Sequence, residues 1–380
     1  MLIMDPPNPL KIQELLEQCI SFLSHSPPDL LSCALVARPW VQPAQSELFR
    51  APQFYLPLSS QKFLDSVRVS PHLVAYVHEL DLNFDRLRSV PTFHDLCAFS
   101  FPHLEVLYLT LGMVFSQENP LPHVHQMQRL LASPKLRYAF LDARSAAAQC
   151  ADMLTNISPT IEHLSLYGGR WTGNPALDTA NAAPICLKSV RLIVSDFTTD
   201  FTWPTNSVTS FPFDLSNLQA LAISGRSTPW DVIPTANIRI LSLDHWGSIS
   251  INLASFPCLQ ILVLEIGRWF LPDILETLKT LSPHHNNKIH TIVLSISWIQ
   301  ARGIDFACPL LDAMISSLTM KSLQTVEIKY TFSPNLPPSE IHNNLEKSFP
   351  KLKARNLSFR TSVCYPELGS KQWKELVERL

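Results

Sequence analysis

The sequence predicts an α/β chain in which a small amino-terminal module of three helices precedes a solenoid, a curved parallel sheet whose strands are joined by helical or irregular return segments. Three observations carry that prediction. An apolar-x-x-apolar-x-apolar signal recurs from residue 77 to residue 352. Nine glycines against 31 prolines in 380 residues suit many short, punctuated elements and leave phosphate-cradling loops scarce. Ahead of the first copy of the signal, Ile12, Leu15, Leu16, Cys19, Ile20 and Leu23 fall at the spacing of one helix face.

The repeat comes first, because a fixed internal pattern decides the architecture. Clear copies are VHELDL from 77, LEVLYL from 104, IEHLSL from 161, LKSVRL from 187, LQALAI from 218, IRILSL from 238, LQILVL from 259, IHTIVL from 289 and LQTVEI from 323. Weaker ones are LRYAFL from 136 and LKARNL from 352, the latter with an arginine in an apolar place. Successive copies start 20 to 34 residues apart, so the array is irregular. Side chains alternate across a strand, so Leu80 and Leu82, or Leu241 and Leu243, are expected to face inward. The residues between them are expected to face out: Asp81, Tyr108, Ser165, Arg191, Ala222, Ser242, Val263, Val293 and Glu327.

Each strand needs a return. Helical periodicity marks 122–133 (Val124, Met127, Leu130, Leu131), 145–155, 271–281 (Ile274, Leu275, Leu278) and 308–318 (Leu311, Met314, Ile315, Leu318). A strand and its return cannot bury an apolar side alone, and stacked neighbours supply the cover. The last ten residues, KQWKELVERL, place Trp373, Leu376, Val377 and Leu380 on one face and suit a terminal cap, so residues 361–380 read as a capping helix. Residues 76–360 resemble a leucine-rich-repeat domain. The competing reading is a large α/β domain with unrelated parallel strands, which the uneven spacing favours.

In the amino-terminal module, Pro27 and Pro28 are expected to break the first helix and Asp29 to cap the second. The second runs through Leu30, Leu31, Ala34, Leu35 and Val36 and is expected to end near Pro39. Trp40 follows, then a third element with Ala44, Leu48 and Phe49. Three short helices make a marginal core that needs a partner or a neighbouring domain. The pattern P-L-x-I-x-x-L-L-x-x-C-I-x-F-L, then D-L-L-S-C-A-L-V-A-R-P-W and A-Q-S-E-L-F-R, resembles the F-box over residues 9–50. The family's opening Leu-Pro stands here as Pro9-Leu10. Residues 1–8 read as a tail, 9–52 as the F-box-like module and 53–75 as a linker helix. The stretch QKFLDSVRVSPHLVAYVHELDL looks like the junction common in fungal F-box proteins.

That resemblance implies docking to a small Skp-type adaptor, and through it to a cullin–RING ubiquitin ligase. The adaptor-facing residues it implies are Pro9, Leu10, Ile12, Leu15, Leu16, Ile20, Leu30, Leu31, Leu35, Val36 and Trp40. Of the positions that could equally build the module's own core, Leu16, Cys19, Leu31 and Leu35 are expected inside, while Pro9, Leu10 and Trp40 are expected at the interface. The repeats would then hold an unknown protein substrate, and the chain would be a non-catalytic substrate receptor. A repeat scaffold that works independently of a ligase is the alternative.

Composition bounds the rest. A net charge of −2 supplies no basic field for nucleic acid or an anionic membrane surface. Eight cysteines without a C-x-x-C pair argue against a zinc site or a disulfide framework, and read as buried thiols of the cytoplasm or nucleus. No segment has the apolar length of a membrane span. Phosphate-loop, dinucleotide-binding, nucleophile-elbow and zinc-protease motifs are absent, so no cofactor or metal is expected, and an enzyme would need a site assembled across repeats. The pairs His123/His125 and His284/His285 read as solvated loop residues. Only Arg191 among the nine outward residues is basic, which favours a protein surface over an anionic ligand. Just beyond the strands lie Arg170, Trp171, His245, Trp246, Arg268, Trp269 and Trp298. They suit either recognition loops or rings that plug gaps between repeats.

Overall fold

A computed structural model of the chain describes residues 13–54, 57–83, 91–111, 121–143, 153–154, 156–168, 185–193, 213–224, 233–244, 251–266, 271–281, 288–296, 304–318, 320–331, 347–355, 357–364 and 369–380. The chain divides into two compact units, Met1–Ile161 with Gly169–Leu177 and Glu162–Gly168 with Asp178–Leu380. Each contains a parallel sheet with helices among its return segments.

The first unit opens with helices α1 (Gln13–Ser21), α2 (Pro27–Val36) and α3 (Arg38–Arg50). The first helix ends before Pro27 and the second at Val36, near Pro39, as expected, and the same prolines also begin the helices that follow. Pro27 is the first residue of α2 and Pro39 the second of α3, where a missing N–H costs nothing and the fixed φ is already helical. The Asp29 carboxylate accepts from the Ser26 hydroxyl and does not cap α2 from outside. Trp40 therefore lies within α3.

Strand β1 (Gln53–Phe54), helix α4 (Pro57–Val69) and a 3₁₀ helix (Pro71–Tyr76) follow, then β2 (Glu79–Asn83), α5 (Pro91–Ala98), β3 (Val106–Thr110), α6 (Leu121–Leu131) and β4 (Tyr138–Asp142). The strands pair in parallel in the order β1-β2-β3-β4. Residues 53–75 thus do more than link: β1 extends the sheet, and Phe54 packs edge-on against Phe63 of α4 at 5.0 Å. His125, expected in a loop, lies on α6, where its Nδ1 meets Gln128 Oε1 at 3.1 Å, and His123 falls in the same helix. All four apolar residues expected to face inward from α6 are buried.

The second unit carries β5 (His163–Tyr167), β6 (Ile185–Cys186), β7 (Ser189–Ile193), β8 (Phe213–Asp214), β9 (Ala220–Ser224), β10 (Ile240–Asp244), β11 (Ile261–Ile266), β12 (Thr291–Ile296), β13 (Thr325–Thr331) and β14 (Ser358–Cys364). Its parallel order is β5-β7-β9-β10-β11-β12-β13-β14, with β6 and β8 paired apart. Helices α7 (Leu271–Lys279), α8 (Ile304–Ser317) and α9 (Pro350–Lys353) lie in the returns, and α10 (Gly369–Val377) follows β14 with Trp373, Leu376 and Val377 buried. The copy expected at Leu352 is displaced. Leu352 and Lys353 belong to α9, Arg355 donates to the carbonyls of Ile315, Ser316 and Leu318, and the strand begins only at Ser358. A guanidinium with three carbonyl partners at the end of α8 has no place inside a sheet.

One device recurs at the strand starts. The first apolar residue of the motif closes a four-residue turn with its N–H: Leu104 to Phe101 O, Leu136 to Ser133 O, Ile161 to Ser158 O and Leu259 to Phe256 O. The sequences of these turns are FPHL, SPKL, SPTI and FPCL, with proline at the second position, where its fixed φ suits a turn. The next residue then offers its carbonyl to two N–H groups of the neighbouring strand. Glu162 O accepts from Lys188 and Ser189, Gln219 O from Arg239 and Ile240, and Gln260 O from His290 and Thr291.

The expected uniform burial of the cysteines does not hold. Cys97 and Cys308 are buried and Cys33 and Cys258 half-buried, but Cys19 and Cys186 are exposed. Cys19 lies on the far side of an amphipathic helix, and Cys186 ends a two-residue strand. Burial pushes the Cys97 thiol well above its ordinary range. The hydrogen bond to Asp214 pushes Cys186 up as well.

Two outcomes test this description. Asp312 is buried on α8 and its two carboxylate oxygens accept from the N–H groups of Lys351 at 3.0 Å and Leu352 at 2.8 Å, so Asp312→Ala should cost about 2 kcal/mol or more in the urea unfolding free energy. Maleimide labelling of the native chain should modify Cys19 first, Cys186 more slowly, and Cys97 and Cys308 only after denaturant is added.

Candidate functional site

The three-helix module closes around four buried side chains, Leu16, Ile20, Leu30 and Ala44, with Leu23, Cys33, Ala34, Trp40 and Leu48 packed against them. That set consumes one face each of α1 and α2 and leaves large apolar side chains uncovered on α2, with one more on the otherwise polar outer face of α1 and one just after it. Leu35 is 87% exposed, Phe22 78%, Val36 65%, Leu31 54% and Leu15 41%. In a helix, residues three and four apart share a face. Leu31 and Leu35 stand four apart on α2, opposite buried Leu30, with Val36 at the helix end. Leu15 faces away from Leu16 on α1, and Phe22 follows the helix.

Among the implied adaptor-facing residues the structure therefore makes a division. Leu15, Leu31, Leu35 and Val36 are open to a partner, whereas Leu16, Ile20 and Leu30 are interior. Leu31, Leu35 and Cys19, expected in the core, are exposed, because α2 turns only its Leu30 side fully toward α1 and α3. Trp40, expected at an interface, is half-buried on the module's core. Pro9, Leu10 and Ile12 lie outside the described residues. Phe22 was missed by sequence reasoning; the signal that could have found it is an aromatic residue one position past the end of α1, outside its buried stripe.

The module is fastened to the sheet beside it. The His78 N–H donates to Arg50 O at 2.9 Å, the Asp81 N–H donates to Pro52 O at 3.3 Å, and β1 pairs with β2 in the register Gln53↔Asp81. Phe49 of α3 lies against Phe63 of α4 at 5.9 Å.

The expected outward residues do share rows. In the first unit Asp81, Tyr108 and Phe140 are in register, and Tyr108 stacks on Phe140 with ring centroids 4.6 Å apart and 9° between planes. In the second unit the row runs Ser165, Arg191, Ala222, Ser242, Val263, Val293, Glu327, Arg360. Phe140 and Arg360 are members that the motif search did not single out.

Exposure corrects the expectation for most of the row. Of the nine residues expected to face out, Asp81, Tyr108, Ser165, Ala222, Ser242, Val263 and Val293 are buried and only Arg191 and Glu327 are partly open, while Arg360 in the same row is exposed. Parallel sheets are covered on both faces, and their strands read as near-continuous apolar runs, as ILVL and TIVL do here. Glu327 lies between two cations, Lys329 Nζ and Arg379 Nη1, each 3.9 Å away. Arg170, Trp171, His245, Trp246, Arg268, Trp269 and Trp298 lie outside the described residues, as do His284 and His285. No helix among the described residues is long and apolar enough to cross a membrane.

No family model matches the chain, and no curated protein matches it. Among solved structures, a structural-genomics crystal structure of a protein from Bacteroides fragilis is similar at 13% identity, with 80% of this chain and 82% of that chain covered and a TM-score of 0.36.

Proposed function

We propose that the chain is a non-catalytic receptor subunit: an F-box whose exposed apolar residues dock a Skp-type adaptor, followed by leucine-rich repeats that hold a protein for ubiquitination by a cullin–RING ligase. The observation that carries this reading is the apolar surface of Leu15, Phe22, Leu31, Leu35 and Val36 on a module with a very small core of its own. Several large apolar side chains exposed on one small helical unit suit an interaction site, and a few such anchors supply most of an interface's energy. The resemblance of residues 9–50 to the F-box supports a Skp-type adaptor as the partner. The receptor's contribution to the reaction is proximity, because tethering raises the target's effective concentration beside the ligase. On the described part of the repeats, Arg191, Glu327 and Arg360 are the members of the central row open to a target.

Two substitutions separate docking from folding. Leu35→Asp changes a side chain that supports nothing in the module, so the melting temperature should hold while affinity for a purified Skp-type adaptor, measured calorimetrically, falls by about 2 kcal/mol, roughly 30-fold in Kd. Trp40→Ala removes a ring packed on the core, so stability should fall together with affinity. Unchanged adaptor binding by the Leu35 variant would overturn the docking surface, and failure of the unaltered chain to bind any Skp-type adaptor would overturn the proposed function.

A further inference from the structure

At the starts of β9 to β12, in the second unit, two rows of polar side chains border a cleft of about 360 Å³ lined by Asn217, Gln219, Asn237, Arg239, Cys258, Gln260 and Lys288. The rows are a product of the repeat. Asn217, Asn237, Cys258 and Lys288 each precede the motif's first apolar residue, and Gln219, Arg239 and Gln260 each follow it. Residues 213–223 and 233–243 even share one burial pattern position by position. The buried apolar residue between the rows, Leu218, Ile238, Leu259 or Ile289, anchors the backbone, so the flanking side chains stand at fixed intervals.

We propose that this cleft binds an extended acidic polypeptide segment running across the strand starts. Among the described residues its lining contains two cations and four primary amides but no carboxylate. Arg239 is oriented: Nε and Nη2 both donate to Gln260 Oε1, at 3.2 and 3.1 Å. A guanidinium carries five N–H donors, so three remain for a ligand, and Gln260, its oxygen engaged, offers its NH₂. Lys288 is exposed and forms no ion pair among the described residues. The nearest strand-start carboxylate in sequence, Asp214, is engaged by the Ser216 N–H at 2.8 Å and the Ser216 hydroxyl at 2.9 Å. The cleft therefore presents donors and positive charge, which selects an anionic partner.

Its length selects a chain over a lone ion. Parallel strands stand about 4.8 Å apart, so four strand starts span about 14 Å, which an extended peptide of about four residues covers and a single oxyanion does not. The cleft's lining residues all belong to the second unit, and the inference stands whatever the helical module docks.

The test uses the full chain and a fluorescein-labelled hexaglutamate peptide with blocked ends, followed by anisotropy. Saturable binding is expected, weakening with salt, with hexaglutamine at least about tenfold weaker. Arg239→Gln and Lys288→Gln should each lower the affinity severalfold. Lys288 is exposed and makes no side-chain hydrogen bond or ion pair among the described residues, so that variant reports on binding even if the Arg239 variant loses stability. Equal affinity for hexaglutamate and hexaglutamine, no binding of either, or indifference to the Lys288 substitution would overturn the site. Displacement of the peptide by an equal concentration of inorganic phosphate would show an oxyanion pocket and overturn the peptide assignment.

Discussion

The architecture depends on one hydrogen-bond arrangement, the carbonyl at each strand start that accepts two N–H groups from the next strand. In the second unit it recurs at Glu162, Lys188, Gln219, Arg239, Gln260 and His290. It fixes register, because a slip of one residue would turn every inward leucine to the other face. It also frees the side chain at that position from any packing duty. That is why residues as different as glutamate, lysine, glutamine, arginine and histidine occupy it while the position just before it is always leucine or isoleucine. Conserved geometry and free chemistry thus sit at the same residue, and the polar cleft of the second unit is built from that freedom.

The helical module works by the opposite economy. Its core of Leu16, Ile20, Leu30 and Ala44 is so small that it uses little more than one stripe of α1 and α2. A larger core would draw in Leu31, Leu35 and Leu15. With so few apolar contacts inside, the module leans on its neighbour: the Phe49, Phe54 and Phe63 cluster and the β1–β2 pairing supply order that three short helices cannot supply alone.

Much of this was legible in the sequence, and for identifiable reasons. The positions of the longer strands from β2 to β13 follow the apolar alternation, a local signal, whereas β6 and β8 fall outside it. The helices over 121–131, 271–279 and 304–317 follow the 3.6-residue period in the same way. What escaped has physical causes too. Two-residue strands such as β1 carry no period, and prolines 27 and 39 can end one helix or begin the next, which only the following residues' packing decides. Alternation separates two faces without telling whether the second is covered, so Ser165, Ser242, Val263 and Val293 were placed correctly in their row and wrongly in the open. The side of α2 turned to the core is likewise a tertiary fact: Leu30 and Leu31 are the same residue type, and only α1 and α3 distinguish them.

The short splice at residues 50–54 has a mechanical meaning. With Arg50 and Pro52 carbonyls both bonded to the first long strand, the third helix runs into the sheet without a swivel between them. Whatever grips the apolar side of the helices is then held at a set bearing to the first strands, as a tool head is to its shaft. Lengthening that splice by even a few flexible residues would leave both ends intact and destroy the aim.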